Sequence, residues 1–150
     1  MENIFFEAPV LWSQIDANMH LRHSAYADFA AQARLELLEK LGIPVGVFAK
    51  LKLGPILFRE ELLYQREIGM GDTARVSCVL TKARPDGSRW SIRHEIFRRD
   101  DVRAAIVNVD GAWIDMEKRK LSRLPDDLNE LFMKVPRSED FEMESTNSAI

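Results

Sequence analysis

Asp16, Asn18, His20 and His23 fall in one short run, Asp16-Ala17-Asn18-Met19-His20-Leu21-Arg22-His23, directly ahead of a helical pattern. A carboxylate so placed can do three kinds of work. It can accept the N–H groups of a turn or helix start, the role that spacing alone favours for Asp16 ahead of Asn18. It can serve as general base or nucleophile toward a carbonyl carbon, with the main-chain N–H groups of the helix start available to hold an oxyanion. With His20 and His23 it also makes an Asp-x3-His-x2-His cluster, but three candidate ligands in one loop without a fourth are too few for a metal site.

Other chemistry is harder to support. Cys78 alternates with Val76 and Leu80 on an apolar face, as a packed thiol does and a nucleophile does not. There is no Gly-x-Ser-x-Gly elbow and no Gly-rich phosphate loop.

The elements that must position these residues follow from periodicity. Phe5 to Trp12 is short, apolar and aromatic, and reads as a first strand. From Ser24 to Leu41, Tyr26, Phe29, Ala30, Ala33, Leu37 and Leu41 recur at helical spacing, with Asp28, Gln32, Glu36, Glu39 and Lys40 opposite. Gly42 and Pro44 mark the end of that helix. Small residues at Ala27, Ala30, Ala31 and Ala33 suit close packing on a sheet. Beyond Gly54-Pro55 the pattern is strands: Ile56 to Arg66, Thr73 to Lys82, Trp90 to Arg98 and Val102 to Met116, with turns at Pro85-Asp86-Gly87 and Asp100-Asp101 and a possible bend at Gly111. Leu124 to Met133 reads as a short helix opened by Pro125 and Asp126. Pro136 to Ile150 is polar and acidic and reads as a disordered or loosely docked tail. The expectation is one α+β domain over 1–135 with a tail over 136–150.

Composition bounds the function. At 150 residues and 46% hydrophobic, the chain has enough for one core. With 21 basic and 24 acidic side chains its net charge is -3, so nothing resembles a general nucleic-acid surface. A single cysteine fits a reducing compartment, the N-terminus lacks the pattern of a signal peptide, and no run approaches the ~20 apolar residues of a membrane span. A cytoplasmic address without membrane insertion is expected. One helix against one sheet leaves an edge to cover, so a homodimer is the expected minimum.

Leu11 to Gly42, with Trp12-Ser13, Asp16-Ala17-Asn18, His20, Ala25-Tyr26, Arg34 and Leu41-Gly42, resembles the opening of the 4-hydroxybenzoyl-CoA thioesterase family of hotdog proteins. Gly71-Asp72 resembles that family's second recurring feature, and the strand order agrees through about Met116. The resemblance implies the hotdog fold, a long central helix wrapped by a curled antiparallel sheet of about five strands. It also implies a dimer that can pair into a tetramer, and hydrolysis of acyl-CoA without metal or organic cofactor. It assigns Asp16 as base or nucleophile and the His23 backbone N–H as oxyanion donor. It places Asn18, Met19, His20 and Tyr26 around the substrate, and Phe58 and Glu60 on the strand that crosses near the partner's aspartate. Of Glu60 and Glu61 only one can face inward. Lys82, Arg84 and Arg89, around the Pro85-Asp86-Gly87 turn, are the candidate contacts for CoA phosphates, with solvated charge as the alternative.

The chain departs from the family pattern in four places. Gln14 stands where a first Asp is usual, Met19 where Gly is common, and Arg22 and His23 where an Asn pair is common. Two further readings therefore stay in view: a non-hydrolytic hotdog protein binding acyl-CoA or an acyl-carrier partner, and, last, a hotdog dehydratase, which would need a histidine that this helix lacks beyond His23.

Overall fold

In the computed structural model, which describes residues 2–145, the chain runs β1 (Ile4–Pro9), a 3₁₀ turn (Trp12–Gln14), α1 (His23–Lys40), α2 (Val45–Leu51), β2 (Leu53–Tyr64), β3 (Thr73–Ser77), β4 (Val79–Ala83), β5 (Arg89–Phe97), β6 (Arg103–Asp115), β7 (Lys120–Ser122), α3 (Asp126–Phe132) and β8 (Arg137–Met143). The stripe expected from 3.6-residue spacing is the buried face of α1: Ala25, Tyr26, Phe29, Ala30, Ala33, Leu37 and Leu38. Its alanines let it lie against β1, β3 and β6. Gly42 ends the helix at φ 92, and the Ile43 N–H donates back to the Leu38 carbonyl at 2.9 Å, a termination in which a Cβ is unwelcome.

Among the described residues the sheet has eight strands, not about five. The additional strands have identifiable causes. The segment read as one strand over Thr73 to Lys82 breaks at Cys78, where the chain changes neighbours: the Cys78 N–H donates to Asn3 and the Leu80 N–H to Pro136. β3 therefore pairs outward with β1 and β4 with β8, while both pair inward with β5. The other side of β5 is β6, which carries β2 along most of its length and β7 at its end. Every pairing is antiparallel except β4 with β8.

Three local expectations need correction. The first strand stops at Pro9, because Trp12–Gln14 coils into a turn whose Gln14 Oε1 accepts the Leu11 N–H at 2.9 Å. After Gly42-Ile43-Pro44 the chain restarts as α2, since a proline just outside a first turn loses no helical hydrogen bond. α2 buries Phe48 against Trp113, ring centroids 5.5 Å apart. The acidic segment expected to be a disordered or loosely docked tail forms β8 over Arg137–Met143, because an open edge on β4 offers main-chain hydrogen bonds that composition does not register. The tail's residues 146–150 lie outside the described residues.

β6 runs unbroken through Gly111, where an added Cβ would collide with the Trp90 ring and the Ile56 carbonyl, and the irregularity in pairing sits opposite, in β2 at Phe58. No helix among the described residues is long and apolar enough to cross a membrane.

Candidate active site

The loop between the 3₁₀ turn and α1 is built around Asp16. Its Oδ1 accepts the N–H groups of Asn18 at 2.8 Å and His20 at 3.1 Å, while its own N–H donates to the His20 carbonyl at 2.8 Å. The Asx turn favoured by spacing is thus present. Oδ2 takes no hydrogen bond among the described residues. Met19 closes the turn with φ 65, a conformation that costs a side chain of this size roughly 1–2 kcal/mol and a glycine almost nothing.

The loop is pinned from both sides. The Leu21 N–H donates to Ile68 at 2.6 Å and the Arg22 N–H to Gln14 at 2.7 Å. The Arg22 guanidinium donates to the Ser13 carbonyl and to Ser24 Oγ, bridging the 3₁₀ turn to the helix start. His23 is the first residue of α1, so its N–H is one of the donors that no helical carbonyl can reach.

Asp16, His20, His23 and Tyr26 line one open cleft of about 310 Å³. Asn18 and Met19 are exposed on the outer side of the turn and do not line it. Tyr26 is buried, and burial pushes its phenol up to about 12, with the Tyr64 hydroxyl adding to the effect. Its ring meets that of Tyr64 edge-on, centroids 5.2 Å apart. Among the described residues no group of three His, Cys, Asp or Glu is placed to hold a metal ion, so Asp16, His20 and His23 do not form such a set.

The opposite wall was not anticipated from sequence: Tyr64, Gln65, Arg66 and Glu67, at and beyond the end of β2. These residues meet the loop through contacts between positions more than 40 apart in sequence, the Leu21 N–H to the Ile68 carbonyl and the Tyr64 hydroxyl to the His23 carbonyl, and the charge in Gln65-Arg66-Glu67 was the one available hint.

Phe58 and Glu60 lie outside this cleft within the single chain. Glu60 pairs with Val109 and Glu61 with Asn108, so Glu60 shares the face of a fully buried valine while Glu61 accepts from Asn108 Nδ2 at 3.0 Å and pairs with Arg59 at 2.8 Å. Within the single chain Glu60 is exposed and Glu61 half-buried, so neither is enclosed on this strand. The charge of Glu60 reaches Arg34.

Arg34 belongs to a buried polar chain that the sequence reading missed. Arg34 Nη1 donates to His94 Nε2 at 3.0 Å, and His94 Nδ1 donates to the Ser77 carbonyl at 2.9 Å, an arrangement that requires the neutral ring protonated at Nδ1. Burial, then the neighbouring guanidinium, lowers His94 to about 3. Cys78 Sγ lies 3.2 Å from the same ring, and burial raises its thiol to about 12, which makes it inert as a nucleophile.

The three cations expected near CoA phosphates do come together. Lys82 and Arg89 line a cavity of about 180 Å³ with Phe58, Trp90 and Glu144, and Arg84 and Arg89 line an adjoining depression of about 340 Å³. The Arg89 guanidinium stacks on Phe58, 4.8 Å from its centroid. Phe6 and Phe29 pack on each other, and Phe48 on Trp113, so these rings serve the core.

Comparison with known proteins places this geometry. Residues 10–132 match the thioesterase-like superfamily. No curated protein matches the sequence. Among solved structures, the hypothetical protein SAV2348 from Staphylococcus aureus, determined in complex with CoA, is 17% identical, with 90% of this chain and 87% of that chain covered and a TM-score of 0.81. DHNA-CoA thioesterase from Staphylococcus aureus is 21% identical over 86% of this chain and 87% of its own, TM-score 0.79. Slr0204, a 1,4-dihydroxy-2-naphthoyl-CoA thioesterase from Synechocystis, is 15% identical over 86% and 94%, TM-score 0.76. At these identities the likeness is one of fold, and that fold is hotdog-like.

Proposed function

The chain belongs to the thioesterase-like superfamily, and on that footing we propose that it hydrolyses acyl-CoA to the free acid and CoA, with Asp16 as general base or nucleophile and the His23 N–H polarising the thioester carbonyl. One observation carries this reading. Asp16 and the helix-opening His23 face the same cleft, with one carboxylate oxygen clamped by two main-chain N–H groups and the other left without a hydrogen bond among the described residues. In the general-base route Asp16 takes a proton from water as the oxygen adds to the carbonyl carbon. The His23 N–H then holds the resulting oxyanion, and the C–S bond breaks to release CoA, which recovers the proton. In the nucleophilic route the carboxylate adds first, giving a mixed anhydride that water cleaves.

The departures from the family pattern fit this reading. Met19 takes a left-handed backbone that a glycine adopts readily, and Gln14 accepts the Leu11 N–H much as a carboxylate there could. Names of solved relatives that act on CoA thioesters, and one solved with CoA, support CoA as the thiol carrier.

Lys82, Arg84 and Arg89 hold the phosphates of CoA in this scheme, and His20 and Tyr26 line the acyl end, with Asn18 and Met19 on the outer side of the turn that carries Asp16. We place α1 as the central helix of the hotdog, wrapped by the curled sheet, in a cytoplasmic homodimer joined along β2, able to pair into a tetramer. Phe58 and Glu60 then approach the second subunit's site. β2 supports the placement: its 12 residues pair only with β6 among the described residues, and Leu57, Phe58, Leu63 and Tyr64 stand exposed on it. Thiol release by the wild-type protein across short, long and aryl acyl-CoAs tests the activity. Turnover of at least one class is expected, and tight CoA binding with no release across the panel would overturn hydrolysis.

A further inference from the structure

β8 follows the last residue matched to the superfamily, and it lands on the basic end of the sheet. Glu142 stands in register with Lys82 on the parallel β4–β8 pair. The next turn of the chain brings the Glu144 N–H to the Ala83 carbonyl at 2.7 Å and its carboxylate to 3.7 Å from Arg84 Nε. Those two side chains are only 17% and 13% exposed, so the pair is far less screened than a surface ion pair. Asp140 reaches Arg93 at 3.2 Å.

Little else holds this strand. Phe141 packs against the core, and the remaining attachment is main-chain hydrogen bonding and charge. Meanwhile the cavity beside it has donors to spare. Arg89 Nη1 is buried without a hydrogen bond, Lys82 and Arg89 line the cavity, and its carboxylates are Glu144, just past the end of β8, and Asp110 of β6. A buried donor without an acceptor is costly, a cost that an anion with several oxygens would recover and that the carboxylates already there leave standing at Arg89 Nη1.

We propose that β8 is an internal stand-in for the phosphates of CoA: Glu142 and Glu144 neutralise Lys82, Arg84 and Arg89 in the free protein and must give way when CoA binds, so that the C-terminal strand sets CoA affinity. This rests on the reading of those three cations as the CoA-phosphate contacts. The consequence is a thioesterase whose hold on CoA is attenuated by its own chain, which eases release of the CoA product.

The test measures CoA affinity calorimetrically on the full chain, at low and high salt, with pantetheine as the phosphate-free control. The isosteric double variant Glu142→Gln/Glu144→Gln should bind CoA about 3- to 10-fold more tightly at low salt, with the gain shrinking at high salt and pantetheine binding unmoved. Unchanged or weaker CoA binding by a folded double variant overturns the stand-in role. Arg89→Met separates the two layers. If it weakens CoA binding while the double variant changes nothing, the cation site stands and only the stand-in falls. If Arg89→Met binds CoA as the wild type does, the phosphate site is misplaced and the stand-in falls with it.

Discussion

The hydroxyl of Tyr64, the last residue of β2, donates to the carbonyl of His23, the first residue of α1, at 3.1 Å. The helix start that presents the proposed oxyanion donor is therefore tied to the sheet from the far wall of the cleft. Tyr64→Phe removes this tie and leaves the ring contact with Tyr26. A single hydrogen bond of about 0.5–1.5 kcal/mol predicts roughly a 2- to 10-fold fall in kcat/KM and a Tm lowered by only about 1–6 °C. Steady-state thiol release and a melting curve on the same variant check both halves.

Asp16→Asn keeps the oxygen that accepts the Asn18 and His20 N–H groups, so the loop should fold as before. The proton acceptor is lost, and thiol release should fall by ~10²–10⁴-fold. Activity at the wild-type level in this variant would sink the assignment of Asp16.

Acid should unfold the protein through His94. Its folded pKa, about 3, lies below the unfolded value near 6.5, so the unfolded chain takes up a proton that the folded one refuses. The stability this ring contributes is complete above pH 6.5 and is lost as pH falls toward 3. At pH 5 the loss is about 2 kcal/mol. Denaturant titrations at pH 7 and pH 5 should show that drop, and His94→Gln, less stable at pH 7, should show a shallower dependence.

Removal of the apolar edge of β2 should separate the subunits. Leu63→Lys puts a charge on a strand that carries exposed Leu57, Phe58 and Tyr64. Sedimentation should give a dimer or tetramer for the wild type and monomer for the variant, with activity falling in step if Phe58 and Glu60 serve the partner's site.

How much of this was legible in the sequence depended on range. The Asp16 loop and α1 were legible because their determinants are local: an Asx turn, a 3.6-residue stripe and a glycine stop lie within one stretch from Asp16 to Gly42. Tyr64 to Glu67 were not, because the contacts that bring them to the loop join residues more than 40 apart in the chain. His94 was a readable miss. It has the parity of Trp90, Ile92 and Ile96 in β5, which places it on the buried face, and a histidine buried there needs partners of the kind Arg34 and Ser77 supply. β8 was hidden by its charge, since composition counts what a segment can bury and not the open edge waiting for it.

Two of the sheet's outer strands differ in kind, and that difference bears on how copies could join. β8 carries Glu139, Asp140 and Glu142 along its rim, where a second such strand would meet like charges, whereas β2 offers apolar side chains and unused main-chain groups. In the proposed dimer a β2–β2 pairing related by a twofold axis would consume the long apolar margin of each copy, leaving only the acidic β8 and the short β1 and β7 at the outside. Such a dimer would favour a closed assembly over an open fibre.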